Sequence, residues 1–165
     1  MEIELFSKKH GKASVIIDDE DYDLIKGYTW TLIKDHGKYY ASTSFYVNEK
    51  LRAVRMHRLL LNMVHSKDQV DHIDNNGLNN RRSNIRTATI AENSRNVGPT
   101  KRSSTGFKGV FIYEKGRFLK KYVVRIKFNG KNILGGYFED VIEAAKKYNE
   151  LAMKYHGDFA FLNKV

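Results

Sequence analysis

The single proline among 165 residues, Pro99, stands in a run with Gly98, Thr100, Ser103 and Ser104. A stretch of this composition breaks periodic structure and reads as a linker, here residues 97–105. It divides the chain into two parts, each small enough that little apolar surface is available for its core. The chain has no cysteine. Neither part can therefore be stapled by a disulfide or built on a thiolate zinc site, and a cysteine nucleophile is excluded. Each part must stand on packing alone. A hydrophobic content of 41% with 12% aromatics is that of a folded chain, not a disordered one.

Charge is distributed unevenly. The formal net charge is +10. Residues 1–50 sum to −2, residues 51–100 to +4 and residues 101–165 to +8. A basic C-terminal two-thirds points to a polyanionic partner. No apolar run approaches the roughly 20 residues of a membrane span. The N-terminal residues are charged where a signal peptide needs an apolar stretch. The expectation is a cytoplasmic protein.

The first fifty residues read as short strands and turns. Residues 13–17 are β-prone and end in the acidic run Asp18, Asp19, Glu20, Asp21. Residues 28–33 and 38–46 follow, separated by the turn signal Asp35, His36, Gly37. Tyr28, Trp30, Tyr39, Phe45 and Tyr46 suit a pleated, half-buried surface and are read as core. Residues 52–64 read as a helix, with Val54, Leu60, Leu61 and Val64 on one face. His57 on that segment is either a packed histidine or one that faces a functional site.

Between residues 70 and 96 the pattern changes. Residues 70–73 form a short strand. Residues 74–83 form a polar, asparagine-rich loop with Gly77 at a sharp bend. Residues 85–88 form a second strand. Thr89 and Glu92 then have the Thr-x-x-Glu spacing that opens a helix. The order is strand, long polar loop, strand, helix.

Beyond the linker, residues 109–113, 122–128 and 131–137 read as three strands. Asn129 and Gly130 between the last two are a strong hairpin signal. A helix follows over 141–155, opened by Asp140 with Glu143. Val141, Ala145, Tyr148, Ala152 and Tyr155 form its apolar stripe, and Gly157 stands at its C-terminal cap. The fold class is α+β, a small antiparallel β region with a helix, a ββα unit, and a three-stranded sheet with one helix.

The 70–96 segment offers residue types that phosphodiester hydrolysis can use, although such Asp, His and Asn residues also serve structure alone. That reaction needs an activated water, hence a general base, and stabilisation of the leaving oxygen, which a divalent cation supplies. A hard cation prefers oxygen ligands and keeps room for substrate and water. Asp71 and the amide oxygen of Asn93 would make a sparse site of that kind. Adjacent strand residues point to opposite faces. Asp71 and His72 therefore need a distortion, or one works from the strand end.

The run from Val70 through Asp71, His72, Ile73 and Asp74 to Asn80, followed by Ser83, Asn84, Ile85, Arg86 and by Glu92, Asn93, Ser94, Arg95, Asn96, resembles the HNH endonucleases, in particular the phage and intron-encoded homing type. The resemblance covers about residues 57–96. Met56, His57, Arg58 and the earlier Asp19, Glu20, Asp21, Tyr22 are also similar to the region that precedes the motif in such proteins. The resemblance implies a ββα-metal (His-Me finger) fold, His72 as general base, Asp71 and Asn93 as metal ligands, and Asn84 as the residue that holds the loop and the His72 ring. Asn93 stands where many members have His. That form suits Mg²⁺, or Mn²⁺, better than zinc.

Gly109, Val110, the run Tyr122 to Ile126, Leu134, Gly135, Tyr137, Phe138, the helix with Glu143, Ala144, Ala145 and Tyr148, and Gly157 through Leu162 and Asn163 resemble the AP2 DNA-binding domain over residues 105–163. In that family the sheet lies in the major groove with the helix behind it, and the groove admits such a ribbon. Arg125 and Lys127, two apart, share one strand face. Arg125, Lys127 and Tyr122 are expected in the groove. Lys120, Lys121 and Lys131 are expected on the phosphate backbone, with Arg117 and Tyr113 beside them. Phe111 and Ile133 stand where the family usually has Arg and Trp readers, so the target sequence does not carry over.

The expectation is a two-part enzyme. Residues 1–97 form the N-terminal β region and nuclease domain, 98–104 the linker, and 105–165 the DNA-binding domain. It cuts double-stranded DNA at a preferred site as a monomer. The competing reading is a non-catalytic DNA-binding regulator that uses the AP2-like part alone. An RNA-directed nuclease fits less well, because a groove-reading sheet suits B-form DNA better than A-form RNA.

Overall fold

A computed structural model describes residues 1–113 and 121–165, and at Val47 the backbone only. Two of the expected DNA-contacting residues, Arg117 and Lys120, lie outside the described residues. The chain forms two compact units, Met1–Ile90 and Ala91–Val165. The architecture is mixed α+β, made of small antiparallel sheets and four α-helices among the described residues. None of those helices is long and apolar enough to cross a membrane.

In the first unit, β1 (Glu2–Ser7) and β2 (Gly11–Ile16) form a hairpin. A 3₁₀ turn over Asp19–Asp21 leads into α1 (Tyr22–Ile25). The strands β3 (Thr31–Asp35), β4 (Lys38–Val47) and β5 (Lys50–Arg55) make a three-stranded meander. Then come α2 (Met56–Leu60) and the antiparallel pair β6 (Gln69–His72) and β7 (Ile85–Ala88). Leu5, Val15, Ile17, Ile25, Leu32, Ala41, Met56, Leu60 and Ile85 close into one buried cluster. Each sheet lends it one face, which is why the unit needs no covalent staple.

The helix expected over 52–64 is shorter than the sequence suggests. Its first residues form β5 instead, paired with β4 from Val47↔Lys50 to Ser42↔Arg55, and only Met56–Leu60 is helical. Val54 is buried in the sheet. An apolar residue satisfies either period, and the unpaired edge of β4 decides between them.

The loop between β6 and β7 is pinned to β2. The Ile16 amide donates to the Leu78 carbonyl (2.8 Å) and the Asn80 amide to the Ile16 carbonyl (2.7 Å). Gly77 is required at the bend. A Cβ there would stand 2.4 Å from the Tyr39 carbonyl oxygen and 2.5 Å from the Tyr40 ring.

In the second unit, α3 (Ile90–Asn96, all but its first residue) precedes β8 (Val110–Ile112), β9 (Tyr122–Phe128), β10 (Lys131–Phe138) and α4 (Val141–His156). The sheet order is β10-β9-β8. Phe128 pairs with Lys131 across Asn129 and Gly130, both at positive φ (48° and 78°), the conformation such a two-residue turn demands. Asp140 caps α4 by accepting from the Glu143 amide (2.8 Å). Ala144, Ala145, Tyr148 and Ala152 pack on Val110, Val124 and Ile126. The C-terminal tail is tied back by Asn163, whose side chain bonds both the amide and the carbonyl of Lys108 (2.8 and 3.1 Å).

Candidate active site

Asp71 and His72 follow one another on β6 in regular register, Asp71↔Arg86 and His72↔Ile85. They therefore point to opposite faces. Both are buried, at 3% and 7% exposure, and His72 is the last residue of the strand. No distortion separates them. The strand end does.

On one face the Asp71 carboxylate meets Arg86, directly across the ladder. Its Oδ2 accepts from Arg86 Nε (2.9 Å) and Nη2 (2.7 Å). On the other face the His72 ring lies edge-on to His57, with centroids 4.9 Å apart, and 6.1 Å from the Tyr40 ring. Its Nε2 pairs with Asn80 Oδ1 at 3.1 Å. An amide oxygen only accepts, so Nε2 carries the proton and the ring's lone pair is on Nδ1. Burial pulls the His72 ring below the ordinary histidine range, although the Asn80 bond and the Asp74 and Asp71 charges oppose it. His57 is pushed down to about 2, by burial first and by His72, Arg55 and Arg58 after it. Both rings are neutral at physiological pH, the form a base needs.

Asn84 organises the loop. Its Nδ2 donates to Asp74 Oδ1 (2.9 Å) and to the Asn79 carbonyl (2.7 Å), and its Oδ1 accepts from the Asp74 amide (3.1 Å). Burial would raise the Asp74 carboxyl. The bonds from Asn79, the Asn76 amide and Asn84 outweigh it and hold the group below the carboxylate norm. A second ring of contacts comes from the β3–β4 hairpin. Lys38 Nζ donates to Asn75 Oδ1 (2.7 Å), and the Arg55 guanidinium lies 4.6 Å from the Tyr40 ring centroid while pairing with Asp35.

The first unit thus brings Asp71, His72 and Asn84 onto one strand pair and its loop. Asn93 lies half-buried on α3, within the second unit. Three further side chains meet the motif residues. Asn80 is fully buried and bonds His72. Arg86 bonds Asp71. His57, whose role stayed open, packs on His72. The Asn-rich composition of the loop was the signal for Asn80, but nothing distinguished it from its neighbours Asn75, Asn76 and Asn79.

Oxygen donors of the kind a divalent cation takes occur in each unit separately. Asp71 carries a carboxylate on β6 of the first unit, and Asn93 carries a side-chain amide on α3 in the second. Among the described residues no group of three or more His, Cys, Asp or Glu could hold a metal.

In the second unit, Arg125 and Lys127 are exposed on one face of β9, while Val124 and Ile126 are buried on the other. Tyr122 lies on the same side as Val124 and packs against that core. Lys121 and Lys131 are exposed and Tyr113 is half-buried, its ring 4.8 Å from Tyr137. Phe111 and Leu134, both half or more exposed, flank Arg125 and Lys127 on the open face.

A protein of Acanthamoeba polyphaga mimivirus described as an uncharacterized HNH endonuclease is 32% identical over 143 residues, which span 82% of this chain and 71% of the viral protein. No family model matches the chain, and no solved structure matches it.

Proposed function

The chain belongs to the HNH endonucleases, and on that premise we propose that it hydrolyses phosphodiester bonds of double-stranded DNA, with a divalent metal, at a preferred site. In this reading β6, β7 and α3 are the ββα-metal unit of the homing type. β8, β9, β10 and α4 are an AP2-like DNA-binding module, and the functional boundary is the 98–104 linker between domains 1–97 and 105–165.

One observation carries the catalytic assignment. His72 is buried at a strand end, with the proton on Nε2 fixed by Asn80 (3.1 Å) and the lone pair on Nδ1. A base must be held in one tautomer and kept neutral, and this ring is both. His72 takes a proton from water, whose oxygen joins phosphorus as the P–O ester bond breaks. Asp71 and Asn93 would hold Mg²⁺, or Mn²⁺, which when bound stabilises charge on the phosphate and the departing oxygen. Asn84 keeps Asp74 and the loop in place, and His57 keeps water off the back of the His72 ring.

Arg125 and Lys127 supply base contacts from the open sheet face, and Lys121 and Lys131 hold the backbone. Tyr122 supports them from the core side. The test is conversion of supercoiled plasmid in Mg²⁺. Wild type cuts and EDTA stops it. His72→Ala loses on the order of 10²–10⁴-fold in rate, the range of a general base. An equally active His72→Ala enzyme ends the assignment.

A further inference from the structure

At the turn of the β1–β2 hairpin the first unit has a second basic surface, unrelated to the sheet of the second unit. An open cleft of about 500 Å³ is lined by residues 6–10 and by Thr31, Leu32, Ile33 and Lys34 of β3. Lys8, Lys9 and Lys34 are exposed there, and Phe6 is 58% exposed. The Tyr39 ring stands beside them, with Lys34 Nζ 5.0 Å from its centroid and the His10 ring edge-on at 5.8 Å.

Among the described residues no carboxylate lines this cleft. Glu4, on the same hairpin, is paired with Lys12 (2.9 Å). Asp35 alternates to the other face of β3, where it pairs with Arg55. The first fifty residues are net acidic, yet their acids gather over residues 18–23 and leave these lysines uncompensated. Lysines interleaved with exposed aromatic rings form a surface for a phosphate backbone.

The cleft also lies close to the reacting centre within one unit. Lys34 pairs with Tyr39 across β3 and β4. The next residue, Tyr40, faces the opposite way, its ring 5.8 Å from His57 and 6.1 Å from His72. One sheet thus separates the lysines from the candidate base.

We propose that this cleft grips the phosphate backbone of the DNA substrate beside the cut, so that the first unit holds DNA without relying on the second. The proposal rests on the reading of the chain as a DNA endonuclease. The experiment is binding of full-length protein to labelled duplex DNA in EDTA, from 50 to 300 mM salt. The test variant is Lys8→Gln/Lys9→Gln/Lys34→Gln. The control is Lys146→Gln/Lys154→Gln/Lys164→Gln, which removes equal charge elsewhere. Each lost phosphate contact lowers the log–log salt slope by about 0.9. The expected result is a slope smaller by about 2–3 and at least a roughly tenfold weaker affinity at 100 mM salt in the test variant only. Unchanged thermal melting, expected for three exposed side chains, confirms folding. A test variant that matches the control overturns the proposal and leaves the nuclease reading intact. Wild type that shows no salt-dependent DNA binding overturns both. A loss confined to RNA of equal length overturns the assignment of the cleft to DNA.

Discussion

The bond from His72 to Asn80 joins a strand end to the middle of a loop, and its removal is the most informative single change. Asn80 is fully buried, and its Nδ2 otherwise faces Met56 Sδ at 3.9 Å. Asn80→Ala leaves the Nε2 proton of a buried ring without this acceptor, at a cost of about 1–3 kcal/mol. Thermal melting should record that loss. Cleavage should fall with it, because the Nε2 proton loses the acceptor that holds it. Arg86 tests the opposite face. Arg86→Gln takes the guanidinium from a carboxylate only 3% exposed, and breaking a buried pair costs roughly 3–5 kcal/mol. The metal-free variant should melt lower, and Mg²⁺ should restore more of its melting temperature than it adds to wild type. Melts that respond to Mg²⁺ as wild type does count against Asp71 as a ligand. Both residues were legible as polar members of the motif. Their partners were not, since a bond between positions eight or fifteen apart exists only once β6 and β7 pair.

Individual elements were largely readable from pattern. The asparagine–glycine turn, the capped helix after Asp140 and the strands of the second unit follow from local rules that hold without knowledge of the rest of the chain. β5 did not, because an edge strand is specified by its neighbour. Gly109 shows how tertiary contact fixes an element locally. It sits at φ 72°, and a Cβ there would lie 2.1 Å from the Tyr148 ring. Gly109→Ala should destabilise the β8–β9–α4 sandwich through both backbone strain and overpacking, by about 1–3 kcal/mol, measurable by denaturant titration. Lys108, one residue earlier, holds the end of α3. Its ammonium donates to the Arg95 and Val97 carbonyls, and burial lowers it to about 8. Between about pH 8 and the ordinary lysine range near 10.5 the unfolded chain binds more protons here than the folded one. Stability from this group therefore rises with pH across that window, and below it the cost of the buried charge is fully present. Lys108→Met should flatten the alkaline rise in the stability curve.

For the whole molecule, a single candidate nuclease site among the described residues makes nicking the natural outcome. Supercoiled plasmid should pass to the nicked circle first, at a rate proportional to protein concentration, with linear DNA arriving later. Linear product without a nicked intermediate would point to paired active sites. The chain as written sets the chemistry on offer. It supplies a candidate base, a candidate acidic ligand and amides at fixed spacing, a basic C-terminal part, and cores that must pack without cysteine. These follow from residue types and short-range periodicity, which act before the chain closes on itself. The closed fold makes Asn80 hold the His72 ring, pairs Arg86 with Asp71, packs His57 on the ring, turns Tyr122 inward and gathers lysines from a net-acidic stretch at one open cleft. Each of these depends on pairing across distant segments. That pairing is set by burial and hydrogen bonding over the whole fold, and no local pattern encodes it.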